Sequence, residues 1–220
     1  MKKLLVLLSM FCSLAVLSFA ACKGDASKSH FTSNGNSTSN VNAETTKNGK
    51  ILIVFFSRKG QNQPNPKGSP LKVGNTARIA EDIADVTDGT LFEIVPVKNY
   101  PEDYQQTLDI TKKEKKENSR PAIKNKLKNI DEYSIIFIGY PIWWGTTPMI
   151  VRTFFDSYNL KGKTIIPFCT HHGSGLGSSV EDIHNVLPSA QVRKGLAIWD
   201  NQLDKAKPII VDWLKELDIQ

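Results

Sequence analysis

Ile51-Leu52-Ile53-Val54-Phe55-Phe56-Ser57, answered after a long gap by Gly74-Asn75-Thr76, is the stretch that decides the fold. Residues 51–56 are apolar without a break, the pattern of a strand buried on both faces rather than one half in water. Asn75-Thr76 opens a segment in which Ile79, Ala80, Ile83 and Ala84 recur at helical spacing. A strand end, a loop and a helix N-terminus together form an anion site, because unpaired first-turn N–H groups and the helix dipole favour negative charge. Ser57 and Asn75-Thr76 therefore read as two halves of one phosphate cradle, and the chain as a binder of a phosphorylated cofactor. An ordinary helix cap at Asn75 is the competing account of the same residues. The glycine spacings of a Walker loop or of a dinucleotide fingerprint are absent.

Outward from that unit the pattern repeats. Apolar runs at Ile51–Phe56, Leu91–Val95, Ile135–Gly139, Thr164–Phe168 and Gly195–Trp199 are the expected strands. Helical spacing is expected over Asn75–Val86, Tyr104–Glu117, Pro148–Tyr158, Leu176–Val186 and a last segment ending near Leu217. Five β–α repeats with near-continuous apolar strands argue an α/β fold, a doubly wound parallel sheet. Pro208 lies inside the last helical stretch, which either starts there or kinks. The Arg58–Val73 loop is long enough to expect a function for it or disorder in it.

The first residues have a different character. Lys2-Lys3 precedes an uncharged, mostly apolar run to Ala21, the pattern of a signal peptide over residues 1–21; an uncleaved membrane anchor is the alternative. Ala20-Ala21-Cys22 resembles a bacterial lipobox, although Phe19 stands where that motif prefers Leu, so Cys22 is expected to carry the lipid. Residues 22–49 are rich in Ser, Thr, Asn, Gly and Lys and are expected to form a disordered tether. The chain then reads as an exported, membrane-anchored bacterial lipoprotein, periplasmic or on the outer surface, with one domain over residues 50–220. Of three cysteines only Cys169 falls in that domain, so no internal disulfide is expected.

Charge excludes one class of function. The chain carries +6; without Lys2 and Lys3 the balance is 26 basic against 22 acidic residues, or +4. The Lys112–Glu117 run holds both signs and reads as a solvated helix face. No basic stripe with interleaved aromatics is present, so no nucleic-acid partner is expected.

In open parallel sheets ligands bind beyond the carboxyl ends of the strands. Three unusual loops fall there: Ser57–Thr76, Tyr140–Thr147 and Thr170–Gly177. The second, Tyr140-Pro141-Ile142-Trp143-Trp144-Gly145-Thr146-Thr147, suggests a rigid aromatic wall for a planar ring, with one Trp in the core. The third, Cys169-Thr170-His171-His172-Gly173-Ser174-Gly175-Leu176-Gly177, offers backbone donors suited to the polar edge of a heterocycle. Adjacent histidines ligate one ion poorly and no acidic or Cys partner lies nearby, so no metal is expected. The Gly-x-Ser-x-Gly elbow of a hydrolase is not present.

Taken together, Phe55-Phe56-Ser57-Arg58, Gly74-Asn75-Thr76, Tyr140 to Gly145 and Pro167 to His171 followed by Gly173-Ser174-Gly175 resemble the flavodoxin-like family over residues 50–220. The resemblance implies a three-layer α/β/α fold with a five-stranded parallel sheet in the order 2-1-3-4-5 and non-covalent FMN. By that analogy Ser57, Asn75, Thr76 and the N–H of Ala77 hold the phosphate. Pro141, Ile142, Trp143, Trp144, Gly145 and Thr146 line one side of the ring; His171, Gly173, Ser174 and Gly175 line the other and meet its pyrimidine edge. Arg58 is expected either on the phosphate or in solvent, with the phosphate favoured. The long Arg58–Val73 insertion between the cradle's halves departs from short flavodoxins. The implied function is an electron-transfer protein with an unidentified redox donor and acceptor, held at a membrane by its lipid. An FMN-dependent NAD(P)H:quinone-type oxidoreductase and a flavin-free binding module are the alternatives; neither loop offers an obvious acid or base, so no catalytic residue is named.

Overall fold

A computed structural model describes residues 49–65 and 67–219. The expected leader, Cys22 and all of the tether but Gly49 lie outside these residues. Among them no helix is long and apolar enough to cross a membrane.

The strands are β1 (Lys50–Phe55), β2 (Thr90–Glu93), β3 (Tyr133–Pro141), β4 (Thr164–His171), β5 (Gln191–Val192) and β6 (Leu196–Trp199). The helices are α1 (Asn75–Thr87), α2 (Tyr104–Lys116), α3 (Met149–Ser157), α4 (Ser179–Val186) and α5 (Ala206–Glu216). All strand pairs are parallel, in the order β2-β1-β3-β4-β5, with β6 also on β4. This is the flavodoxin-like order expected from the resemblance.

Alternation along the central strands sends side chains into two cores. Leu52, Val54 and Phe56 of the first run join Ile136, Ile138 and Tyr140 of β3 under Ile150, Val151 and Phe154 of α3 and Ile183 of α4. Ile53 and Phe55 join Phe137, Ile166 and Phe168 under Ile79, Ala80 and Ile83 of α1 and Ile210, Trp213 and Leu214 of α5. The residues named in these two cores are at most 6 % exposed. Burying a side chain of this size stabilises the fold by roughly 1.5–3 kcal/mol, so the layers are held chiefly by β1, β3 and β4.

Three expectations need correction. The second apolar run is an edge strand, paired on one side with β1, and its Leu91 is exposed. The fifth strand is split: β5 pairs with Thr164 and Ile165, and β6 with Phe168 to His171. Pro167 lies between. The Ile165 carbonyl accepts from Arg193 N–H (2.9 Å), so Pro167, two positions on, turns the same edge to the fifth strand but has no N–H to donate. Gly195 passes there so closely that a Cβ would lie 3.1 Å from the Pro167 carbonyl oxygen. The fourth helix begins at Ser179 rather than Leu176, because Gly177 is held at φ 54°. Pro208 sits in the first turn of α5, where an N–H has no intrahelical partner to lose.

Candidate cofactor site

A cavity of about 470 Å³ opens at the carboxyl ends of β1, β3 and β4, within the size range of small-molecule sites. Of the residues expected there, Ser57, Arg58, Asn75, Thr76, Pro141, Ile142, Trp143, Trp144, His171 and Ser174 line it. Ala77, Gly145, Thr146, Gly173 and Gly175 stand behind these.

The cradle is built by one close approach. Gly74 has extended backbone ahead of α1 and presses on the end of β1: a Cβ there would lie 2.3 Å from Ser57 Oγ and 2.5 Å from the Arg58 carbonyl oxygen. The cap residue, Gly74, has no side chain to bond the first turn, and Asn75 is the first helical residue rather than the cap. Its amide is thus not consumed as a cap. Ala77 N–H donates to Ser57 Oγ (3.0 Å), leaving the Ser57 proton for another acceptor. That N–H, expected to hold a phosphate, bonds to Ser57 Oγ and to the Gly74 carbonyl (3.1 Å) here. Behind it the buried hydroxyls of Thr76 and Thr170 bond at 2.9 Å, tying α1 to β4.

Arg58 is neither in solvent nor aimed solely at the cradle. It is 7 % exposed. Nη2 donates to the Pro101 (2.6 Å), Glu102 (2.7 Å) and Asp103 (3.3 Å) carbonyls, and Nη1 to the Gln61 carbonyl and to Asn62 Oδ1 (3.1 Å). This fork fastens the 58–73 loop to the start of α2. Gly60 and Leu71 close the loop by exchanging both backbone hydrogen bonds. Arg58 Nε is buried with no partner among the described residues. A buried donor left unpaired costs about 1–3 kcal/mol.

The aromatic wall divides as expected. Trp143, half-buried, packs edge-on against Phe56 (5.3 Å) and Tyr100 (5.1 Å) at the edge of the core. Trp144 is 41 % exposed, and its indole N–H donates to Thr111 Oγ1 (3.0 Å). Trp143 and Thr146 exchange backbone hydrogen bonds at 3.1 Å around Trp144 and Gly145, which both have positive φ (54° and 78°). That conformation is strained for a bulky side chain. Thr146 points away from the cavity and donates to Asp182. Burial opposes the charge on Asp182, but hydrogen bonds from Thr146 and Ser178 and the Arg152 charge outweigh it and hold the carboxyl below its ordinary range.

On the facing loop His171 Nδ1 accepts from Gly173 N–H (3.0 Å) and Gly175 N–H (3.1 Å). These two donors, expected on a heterocycle edge, bond to the imidazole here. Burial pushes His171 protonation below the ordinary imidazole range. The Trp199 ring lies 5.7 Å from His171. Ser178 N–H donates to the Gly145 carbonyl (2.8 Å), and a Cβ on Gly177 would fall 2.2 Å from that oxygen. The two ring loops are thus stitched together.

Sequence reasoning missed one wall. Tyr104, Thr107, Leu108 and Thr111 of α2 line the cavity, with Asn62 and Gln63 of the long loop and His172 and Asp200 beside His171. Positions 104, 107, 108 and 111 share one helix face. The Lys112–Glu117 run is not wholly solvated: Lys115 donates to the Trp144 carbonyl (2.7 Å), and half-buried Glu114 accepts from Tyr100 OH (2.9 Å). Among the described residues no group of three or more His, Cys, Asp or Glu side chains could hold a metal.

A flavodoxin family profile matches residues 71–217. The chain belongs to the flavodoxin family. No curated protein matches it. A Bacteroides eggerthii protein provisionally named a flavoprotein is 33 % identical, with 79 % of this chain and 100 % of that one covered and a TM-score of 0.64. A Bacteroides uniformis protein of the same description is 32 % identical over 75 % and 99 % of the two chains, with a TM-score of 0.61. A Lactobacillus acidophilus flavoprotein solved in complex with FMN is 25 % identical over 71 % of this flavodoxin and 97 % of its own chain, with a TM-score of 0.54.

Proposed function

We propose that the cavity binds FMN and that the protein is an electron-transfer flavodoxin, exported and held at a bacterial membrane by a lipid on Cys22. The observation that carries the FMN reading is the cradle joined to an aromatic wall in one cavity. Ser57 O–H, the Asn75 side chain and the first N–H groups of α1 are donors of the kind a phosphate needs. The similarity to a Lactobacillus acidophilus flavoprotein complexed with FMN supports the same choice. The membrane and export part rests on the lipobox-like Ala20-Ala21-Cys22 and the polar stretch after it.

FMN, when bound, supplies one- and two-electron chemistry; the protein sets where it lies and what surrounds it. In this assignment Ser57, Arg58, Asn75 and Thr76 anchor the phosphate. Trp144 offers a ring face, and Trp143 supports it from the core. His171, with Nδ1 committed to the Gly173 and Gly175 N–H groups, keeps its proton on Nε2 and presents a donor. Pro141, Ile142 and Leu108 exclude water from the rest of the wall.

A second reading, an FMN-dependent reductase of quinone-like acceptors, is favoured by one observation. Asn62, Gln63, Tyr104 and Thr107 extend the cavity beyond the cradle and the two ring loops. NAD(P)H oxidation by the FMN-loaded protein with a quinone separates the two: turnover supports the reductase, none the carrier.

The deciding experiment is a visible spectrum of the purified protein after incubation with FMN and desalting. Retained flavin bands, weakened by Asn75→Ala and Trp144→Ala, support the assignment. A colourless protein that cannot be reconstituted removes it and leaves only the fold.

A further inference from the structure

Adjacent His171 and His172 present their Nδ1 atoms to opposite partners. His171 Nδ1 faces two backbone N–H donors, so it must be an unprotonated acceptor; adding a proton there would break both bonds. His172 Nδ1 faces Asp200 Oδ2 at 2.8 Å, so it must carry a proton. The Asp200 side chain is 7 % exposed, while that of His172 is 47 % exposed, and both residues line the cavity. A buried carboxylate is costly unless its oxygens accept hydrogen bonds. Its partner here is His172. The carboxylate fixes the tautomer and leaves Nε2 as the atom that gains or loses a proton, with no hydrogen-bond partner among the described residues.

We propose that His172, positioned by Asp200, is the proton-uptake group that accompanies reduction of the cofactor in this cavity. The inference rests on the FMN reading. Two electrons and one proton entering the isoalloxazine leave one added negative charge. His172 Nε2 takes one further proton from water, and the imidazolium formed offsets that charge. Reoxidation by an electron acceptor returns the Nε2 proton to water. His171, locked as an acceptor at Nδ1, does not compete for the proton. The titratable groups facing His172 are His171 at the end of β4 and Asp200 at the start of the 3₁₀ turn after β6. Further along that turn, Asp204 is tied to Arg78 of α1 at 2.7 Å. The chemistry implied is proton-coupled two-electron transfer, which suits acceptors that take up protons with electrons.

The test is the pH dependence of the two-electron midpoint potential of the FMN-loaded protein, measured at an electrode from pH 5 to 8. The native potential is expected to fall more steeply with pH than that of His172→Gln, with a bend that the variant lacks. Asp200→Asn is expected to move the bend, since the carboxylate that accepts the Nδ1 proton is gone. Equal slopes in native protein and His172→Gln, with FMN bound in both, overturn the inference and leave the FMN assignment standing. Should His172→Gln fail to fold, Asp200→Asn carries the test, and an unmoved bend overturns it. Protein that retains no FMN removes the cofactor assignment and this inference with it.

Discussion

Ser57 Oγ accepts the backbone N–H of Ala77 at 3.0 Å across twenty positions of chain. One hydrogen bond closes the cradle, and it forms only because Gly74 lets the chain pass against Ser57 and Arg58. Gly74→Ala places a methyl 2.3 Å from Ser57 Oγ and 2.5 Å from the Arg58 carbonyl, which is backbone and yields little. We expect a loss of about 1–3 kcal/mol in stability, as for other overpacked sites. FMN affinity should fall roughly tenfold or more, about 1.4 kcal/mol for each tenfold. Thermal unfolding and a flavin fluorescence titration read the two effects. An Ala variant with native affinity would mean that the cradle does not hold the phosphate.

Asp182 links the ring loops through Thr146 and Ser178 and lies 3.7 Å from Arg152 Nη2. Its folded carboxyl is held below the ordinary range. A depressed folded value means stability that is present above the unfolded value, near 3.9, and lost as pH falls through the folded one. Asp182→Asn is therefore expected to cost about 1–3 kcal/mol at pH 7, from hydrogen bonds to a charged acceptor. The difference from native protein should shrink as pH drops below about 4. Denaturant unfolding at pH 7 and pH 3.5 measures it; a difference that stays constant would show that the charge of Asp182 does not matter.

Some of this was legible in the sequence and some was not, for physical reasons. Residues 51–56 and 135–139 are unbroken apolar runs because both faces of those strands are covered, and that signal is local. The edge strand at Leu91 has one side unpaired, and its run is interrupted by the charged Glu93, a break that the five-strand pattern passed over. Pro167 removes a ladder donor from a central strand, yet no split of the fifth strand was expected from it, because the added piece, Gln191-Val192, is too short and polar to stand out. Tyr104, Thr107 and Thr111 look solvated in a charged helix; only their shared face with Leu108 hinted at a cavity wall. The fates of Arg58 Nη1 and Nη2 and of the Gly173 and Gly175 N–H groups were illegible, because their acceptors are set by the fold.

Cys169 lies at 0 % exposure in β4, and burial pushes its thiol up to about 12. The thiolate is the reactive form, so almost none is present at pH 8. Native protein treated with iodoacetamide at that pH should remain unmodified at Cys169, while protein unfolded in denaturant should label fully. Peptide mass spectrometry locates the modification. Rapid labelling in the native state would place Cys169 at the surface and contradict the register of β4 on β3.

Trp144 combines a large half-exposed ring with a positive φ of 54°. A left-handed conformation costs a non-glycine residue about 1–2 kcal/mol, and the fold tolerates it at the mouth of the cavity, where the indole is anchored on Thr111. Trp144→Ala loses the ring and its hydrogen bond yet keeps the strain, because Ala also carries a Cβ. Trp144→Gly loses the same contacts and relieves the strain. We therefore expect the Gly variant to be the more stable of the two by about 0.5–1 kcal/mol, the reverse of the usual cost of glycine. Both variants should lose FMN affinity to a similar extent, since the stacking face is gone in each. Thermal melts without FMN and titrations with it separate the two consequences. An Ala variant as stable as the Gly variant would mean that residue 144 is not held left-handed, and unchanged affinity in both would remove Trp144 from the ring site.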